Sequence, residues 1–321
     1  MGIAAPGPTA GKPLNTNALW TKRPLNMKRE GAAKRHIVRI TAGMIVLNGE
    51  PFIAYSLRAI YDFVDEIIVV EGAVEKAMFA ANPDGSSRDR TVEIVKNFPD
   101  PDGKITLVQG RWPGKLEQSQ EYMRRATGDY VWIVDSDEMY LPADVVRIKQ
   151  MLEDDPDITV VSFYERAFWH NLHTQLVGPP WEGVREAVFY RLFRRVPGAR
   201  FTTHRPPTVV GDDGINLVEK KLVRANEMRR RGIFLFHYSY VDPGQVQQKI
   251  EYYRRRGSKN AGPPDWFERV YLAWPNDPAG VEARYGTHPI GTGWTMPYHG
   301  PHPPAMHDHP LMQRELQAVQ P

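Results

Sequence analysis

Four stretches between residues 36 and 138 are nearly unbroken apolar runs, and an amphipathic segment separates each from the next. HIVRITAGMIVLN, DEIIVVEG, KITLVQG and DYVWIVDSDE read as strands. Between them, EPFIAYSLRAIYDFV carries Phe52, Ile53, Leu57, Ile60, Tyr61 and Val64 at helical spacing, SRDRTVEIVKNF forms a second helix, and KLEQSQEYMRRATG a third that Gly128 ends. A strand that is apolar along its whole length must be covered on both faces, and parallel neighbours need helical crossovers. The pattern therefore predicts an α/β fold over residues 36–150, a Rossmann-like, mostly parallel sheet with helices on both faces. Such sheets bind ligands beyond the carboxyl ends of their strands. That rule singles out Asn48, Glu50, Glu71, Gln109, Asp135, Asp137 and Glu138.

The rest of the chain divides by composition. Residues 1–35 are rich in Gly, Pro, Ala and Asn with scattered basic residues and read as a flexible leader. Residues 151–257 alternate strands, loops and a helix, DPGQVQQKIEYYRRRG, and read as a smaller mixed region of the same domain. Residues 258–321 hold 11 of the 28 prolines and five of the ten histidines, a composition expected of a flap or tail rather than a further core. The 41 basic and 38 acidic residues leave a net charge of +3, too little for a strongly cationic nucleic-acid binder. With no cysteine, disulfides, thiolate zinc sites, iron–sulfur clusters and thiol nucleophiles are excluded, so any metal must sit on carboxylates, imidazoles or carbonyls. No apolar stretch reaches membrane-span length and the first residues lack a secretory core, so the expected location is cytoplasmic, with peripheral membrane attachment as the alternative. There is no GxGxxG after the first strand and no GxxxxGK[ST], which argues against a dinucleotide dehydrogenase and a P-loop NTPase.

The densest chemistry follows the fourth strand. Four apolar residues, 131–134, deliver Asp135-Ser136-Asp137-Glu138. Burying three carboxylates together is costly unless a cation or a donor-rich ligand balances them. In an extended D-x-D both Asp side chains leave the same side of the chain and could face one divalent ion. Mg²⁺ and Mn²⁺ take oxygen ligands and keep room for substrate phosphates, so a bridge to a nucleotide diphosphate fits. The plainer reading is a set of solvated or helix-capping acids at a strand end.

The run GDYVWIVDSDEMYLP resembles the D-x-D strand of family-2 glycosyltransferases of the GT-A fold, in the branch with lipopolysaccharide-core glucosyltransferases and peptide glycosyltransferases. MIVLNGEPFIAYSLRAIYDFVDEIIVVEG resembles that family's first strand, helix and second strand, and DGSSRDRTVEIV its second-helix opening, with Asp84, Ser87, Asp89 and Thr91. RLFRR, the segment around His204 and FHYSYV resemble later landmarks, so the likeness runs over residues 37–257. It implies a metal-dependent transfer of a sugar from a nucleotide diphosphate donor (UDP-, GDP- or dTDP-sugar) to a hydroxyl on a glycan, lipid-linked or peptide acceptor, with inversion. By the same resemblance, Asp135 with Ser136 meets the ribose or the Mn²⁺ or Mg²⁺ ion, Asp137 ligates that ion, and His237 is a third ligand or a donor to the phosphates. Glu71 reads the base, and Leu47, Asn48 and Glu50 cradle the nucleoside. The chain departs from the family in an insertion, GAVEKAMFAANP, and in having Ser119 and Gln120 early in the third helix, where Lys115 stands in for a missing basic residue. His204 is followed by Arg205, where the branch often has Glu.

An inverting reaction needs a base opposite the leaving group. Glu165, Glu182, Glu186 and Asp212 are the candidates, and Glu186, just before RLFRR, is preferred. His170 and His173 form an H-x-x-H more consistent with a polar loop than with a metal site; Trp169 and Trp181 read as core or sugar-facing surface; His299 and His302 are expected in a flap that meets the diphosphate. The Arg229–231 and Arg254–256 runs could attract phosphates, anionic lipid heads or nucleic acid, but a solvated helix end is the plainer reading of Arg254–256. Two other classes fit part of the pattern: a nucleotidyltransferase, which lacks its Gly- and Lys-rich loop here, and a non-catalytic nucleotide- or sugar-binding module.

Overall fold

A computed structural model describes residues 37–179 and 189–318. The strands are β1 (Ile40–Val46), β2 (Glu66–Glu71), β3 (Ile105–Gln109), β4 (Tyr130–Ile133), β5 (Glu138–Met139), β6 (Val160–Phe163), β7 (Glu165–Trp169), β8 (Thr174–Val177), β9 (Phe189–Arg194), β10 (Arg200–Thr203), β11 (Thr208–Val210), β12 (Leu222–Val223), β13 (Leu235–Tyr240) and β14 (Trp294–Pro297). The helices are α1 (Ile53–Tyr61), α2 (Thr91–Asn97), α3 (Lys115–Arg125), α4 (Pro142–Asp154), α5 (Leu217–Lys220), α6 (Ala225–Arg230), α7 (Pro243–Arg255), α8 (Pro278–Tyr285) and α9 (Pro310–Ala318).

Seven strands form the main sheet in the order β12-β6-β9-β4-β1-β2-β3, parallel throughout except for β9, which runs against both β4 and β6. The expected α/β architecture is thus what the chain forms. Because side chains alternate along a strand, Ile67 and Val69 of β2 enter one apolar cluster and Ile68 and Val70 the other. The first cluster is closed by α1, α4 and α6, the second by α3. Gly43 in β1 is required by this packing: a Cβ there would lie 2.3 Å from Cδ2 of Tyr122, so only a bare backbone lets α3 settle onto the sheet.

The smaller mixed region is a second sheet, β14-β8-β7-β13-β5. Its β5 begins five residues after β4 ends and pairs antiparallel with β13, setting His237 opposite Glu138. The segment after Ser258, read above as a flap or tail, packs against this sheet. Trp266, Val270, Tyr271, Trp274 and Val281 are buried with Ala167, Trp169 and Val246, while Tyr298, Ala305 and Met306 join Phe52, Phe168 and Tyr238. Its prolines misled the reading because its aromatic residues, not its local propensity, supply the burial. Among the described residues, no helix is long and apolar enough to cross a membrane.

Candidate functional site

The carboxyl ends of β1 and β4, the start of α3, β13 and one face of α7 surround a cavity of about 410 Å³. Leu47, Asn48, Lys115, Asp135, Ser136, Asp137 and His237 all line it. Helix α7 adds Gln245, Gln248, Lys249, Tyr252 and Tyr253, with Arg256 just beyond its end, a spacing that keeps successive side chains on one helical face.

The acidic run is not an extended strand, contrary to the sequence reading. Strand β4 ends at Ile133 and residues 135–138 form a turn closed by the Glu138 amide donating to the Asp135 carbonyl at 3.0 Å. The backbone of the turn is fixed from two sides: Ser56 Oγ donates to the Glu138 carbonyl at 3.0 Å, and the Tyr238 amide donates to the Asp137 carbonyl at 3.0 Å. Nor do the three acids share one partner. Glu138 is fully buried and its two carboxylate oxygens take Nε (2.8 Å) and Nη2 of Arg191, whose Nη2 also reaches Asp135 Oδ2 at 3.3 Å. Burial raises the Glu138 carboxyl above its ordinary range, against the pull of Arg191. Burial acts on Asp135 in the same sense, but Arg191, Arg205 and Lys115 overcome it and hold that carboxyl far below the usual range.

Asp137 faces a different partner. Its Oδ1 lies 3.6 Å from His237 Nε2, while His237 Nδ1 is in hydrogen-bond contact with Glu165 Oε2. Burial disfavours charge on His237, yet Asp137 and Glu165 together draw a proton to it and lift it to about 10. Positive charge is therefore stabilised at this point of the cavity wall. Among the described residues, no three His, Asp or Glu side chains gather into a cage for a metal ion. Asp135, expected at the ribose or the ion, is turned to Arg191. What remains is Asp137 with His237, whose Nε2 becomes a donor once an incoming cation takes the place of its proton, and Glu165 orients the imidazole from behind. A carboxylate on the far nitrogen is the usual support of a metal-binding histidine, and hard divalent ions commonly take one or two protein ligands and fill the rest with phosphate and water. The residues thus fit a divalent ion shared with a substrate.

Two expected nucleoside contacts do not line the cavity. The Glu71 carboxylate is buried and spent internally: Oε1 accepts from the Ser87 amide (2.7 Å) and hydroxyl (2.8 Å), and Oε2 from Gln109 at 3.1 Å. Ser87 Oγ in turn receives the Asn48 amide at 2.8 Å, and Asn48 Nδ2 donates to the Ala80 carbonyl at 2.8 Å. Glu71 therefore builds the inserted loop rather than reading a base, and the loop itself presents Val74, Ala77, Phe79 and Ala80 to the cavity. Glu50 is taken up by Arg90, which lowers its carboxyl, and by the Asp89 carboxylate on its amide.

The base candidates Glu182 and Glu186, and Trp181, lie outside the described residues, as does the expected leader, residues 1–35. Asp212 follows β11 and does not line the cavity, where Asp135 and Asp137 are the carboxylates among the described residues. The histidines of the last segment are not at the cavity either. His302 bridges the Leu172 carbonyl (3.0 Å) and the Tyr238 hydroxyl (3.0 Å), and His309 stacks on Phe52 at 4.8 Å. Trp169 is fully buried, the core reading for it, whereas His170, expected in a polar loop, stacks on Tyr271 at 4.0 Å. Arg254 and Arg255 pair with Glu251 as a solvated helix end should, but Arg256 turns over the Tyr252 ring, 5.5 Å away. Arg191, Arg205, Lys249 and Tyr253 had no assigned role in the sequence reading. A signal for Arg191 was present: an arginine in the middle of the apolar strand FYRLFR demands a buried acid opposite it.

Residues 83–206 match the family described as glycosyl transferase family 2. The sequence matches no curated protein. Solved structures similar to the chain include TarS 1–349 of S. aureus in complex with UDP-GlcNAc (18% identity, 40% of this chain and 35% of that one, TM-score 0.32). The mannosyltransferase PcManGT from Pyrobaculum calidifontis in complex with GDP-Man and Mn²⁺ is also similar (18%, 73% and 68%, TM-score 0.39). A third is glucosyl-3-phosphoglycerate synthase from Mycobacterium tuberculosis in complex with Mn²⁺, UDP and phosphoglyceric acid (21%, 41% and 43%, TM-score 0.29). The chain spans about a third of the TarS 1–349 structure it matches.

Proposed function

We propose, from the premise that this chain carries a family-2 glycosyltransferase segment, that it transfers a sugar from a nucleoside diphosphate donor to an acceptor hydroxyl with inversion, using a divalent ion. The observation that carries the reading is the Glu165–His237–Asp137 alignment at the cavity wall beside Lys115 and Lys249. Asp137 and His237 would hold Mn²⁺ or Mg²⁺, which when bound neutralises charge building up on the leaving diphosphate. Lys115 and Lys249, both lining the cavity, carry further positive charge for the same diphosphate. Val74, Ala77, Phe79 and Ala80 of the inserted loop offer an apolar surface for the nucleoside, beside Leu47 and Asn48.

In the reaction the acceptor oxygen forms a bond to the anomeric carbon as the bond from that carbon to the diphosphate oxygen breaks. The electron pair leaves with the diphosphate, and the hydroxyl proton passes to a carboxylate, for which Glu186 is proposed. Asp135 is held by Arg191 and stays ionised, so its part is to orient the donor, not to take the proton. The proposed location is cytoplasmic, peripheral at a membrane where the acceptor is lipid-linked, and the proposed acceptors are glycans, lipid-linked molecules and peptides.

The test is turnover of a panel of UDP-, GDP- and dTDP-sugars with Mn²⁺ or Mg²⁺, read as release of the nucleoside diphosphate. Asp137→Ala should abolish release while the far-ultraviolet circular dichroism stays unchanged. Full turnover by Asp137→Ala with the ion chelated would refute the reading.

A further inference from the structure

The charges around the cavity are segregated. Asp135, Asp137, Glu138 and Glu165 lie with Arg191 and His237 on one side. Lys115, Lys249, Arg205 and Arg256 gather about the last turns of α7: Lys115 Nζ and the Arg256 guanidinium lie 5.0 and 5.5 Å from the centre of the Tyr252 ring, and Arg205 Nη1 donates to the Tyr253 hydroxyl at 3.3 Å. Lys249 Nζ donates to Ser239 Oγ at 2.9 Å. Among the described residues, none of these four cations is within ion-pair distance of a carboxylate. Their crowding is felt by the neighbours. Burial raises the Tyr253 phenol, but Arg205, Lys249 and Lys115 outweigh it and bring it down to about 8; burial, then Lys115 and Arg205, push His204 down to about 3. A donor's diphosphate diester carries two negative charges, which the divalent ion together with Lys115 and Lys249 already covers. Arg205 and Arg256 are left over; both are exposed, Arg205 donating to the Tyr253 hydroxyl and Arg256 lying over the Tyr252 ring.

We infer that Arg205 and Arg256, with Tyr252 and Tyr253, hold an anionic oxygen group of the acceptor, a phosphate or a carboxylate, so that the acceptor of this chain is a charged molecule. The inference rests on the donor reading above for which end of the cavity the nucleotide takes. A guanidinium offers a planar fork of donors that matches the oxygens of either group, which a neutral sugar hydroxyl cannot exploit.

The experiment uses the full chain. Nucleoside diphosphates (UDP, GDP and dTDP) are first titrated with Mg²⁺ by calorimetry. Inorganic phosphate, and in a parallel arm malonate, is then titrated into the protein saturated with nucleotide and Mg²⁺, against chloride at equal ionic strength. The expected result is saturable binding of at least one of these anions in the presence of nucleotide; phosphate alone points to a phosphorylated acceptor, malonate alone to a carboxylated one. The Arg205→Gln/Arg256→Gln double variant should weaken that binding by about tenfold or more, the loss of charge-assisted hydrogen bonds, while nucleotide affinity changes by less than about threefold. Both side chains are exposed, so the variant should melt with the parent in chloride. Failure of both anions to bind beyond chloride, binding only when nucleotide is absent, or a tenfold loss of nucleotide affinity in the variant overturns the inference, the last two by assigning these arginines to the donor. If no nucleoside diphosphate binds, the donor reading falls by itself, and anion binding by the free protein, lost in the double variant, would leave a site but overturn its assignment to an acceptor.

Discussion

Replacing Arg191 by Met removes the guanidinium from Glu138 while keeping an aliphatic chain in its place. The Glu138 side chain is 0% exposed and that of Arg191 7%, so water cannot take over the lost contacts. Breaking a buried pair by deleting one partner costs about 3–5 kcal/mol, most of it the price of an unpaired buried charge. With a urea dependence of about 3 kcal/mol per M, the unfolding midpoint should fall by about 1–1.7 M. The sign of the pH dependence follows from the carboxyl. Burial already raises Glu138, and without Arg191 to oppose it the folded-state value rises further above that of the unfolded chain. Between those two values the folded state holds a proton that the unfolded state releases, so the variant's deficit must shrink as pH falls through that window. Urea unfolding followed by tryptophan fluorescence at about pH 7.5 and about pH 5.5, each against the parent, measures both effects. A second variant, Arg191→Met/Glu138→Met, should recover most of the loss, because an apolar pair carries no desolvation penalty. A deficit below about 1 kcal/mol at the higher pH, or one that grows on acidification, would refute a buried, mutually dependent pair.

Three further outcomes follow from the packing and the site. Gly43→Ala should cost about 1–3 kcal/mol in urea unfolding, because its Cβ would stand 2.3 Å from the Tyr122 ring and α3 must shift to make room. His309 is buried against Phe52 and its pKa is pushed down to about 4, so the unfolded chain takes up a proton that the folded chain refuses as pH falls from about 6.5 to about 4. Stability should therefore drop across that window, and His309→Phe should flatten the thermal midpoint there relative to the parent; an unchanged slope would count against the buried neutral ring. Glu165→Gln should weaken Mn²⁺ binding in the presence of nucleotide by about 10–100-fold, measured by electron paramagnetic resonance of the free ion, since the carboxylate behind His237 sets its orientation.

How much of this was legible in the sequence depends on whether a residue acts through its neighbours in the chain or through distant ones. The strands β1 to β4 and the helices between them follow from period and burial, and Asp135 and Asp137 sit at a strand end as the α/β rule requires. The shape of the acidic turn does not follow, because it is imposed by Ser56 and by the Tyr238 amide, 79 or more residues away in the case of Ser56 and the Asp135 carbonyl. Glu71 illustrates the same limit. Its position at the end of β2 was read correctly, but its oxygens are consumed by Gln109, set opposite it by the β2–β3 register, and by Ser87, which the chain beyond the insertion folds back onto it. Residues after Ser258 were misread because Pro and His dominate their composition, while their fate is decided by Trp266, Tyr271 and Trp274 meeting Trp169 across the second sheet. The polar face of α7 was present in the sequence as Gln245, Gln248, Lys249, Tyr252, Tyr253 and Arg256, but a helical face announces that it is polar, not what it faces.

The two sheets divide the electrostatic work of the cavity. β4 and β5 carry the acidic turn, and the antiparallel pairing of β5 with β13 is what brings His237, from about a hundred residues later, opposite Glu138 and beside Asp137. Helix α7 leaves directly from β13, so the same pairing also fixes where Lys249, Tyr253 and Arg256 stand. A floor of net negative charge and a rim of net positive charge are thereby held at a set separation by one short ladder. A ligand that satisfies only one of them leaves the other's field unopposed in a partly dehydrated cavity, where charge interactions are strong. A cation and a diphosphate brought in together satisfy both, and by linkage each must strengthen the binding of the other by the same factor. The geometry of the β5–β13 pair is therefore part of the affinity for both, although neither strand's backbone need touch the substrate.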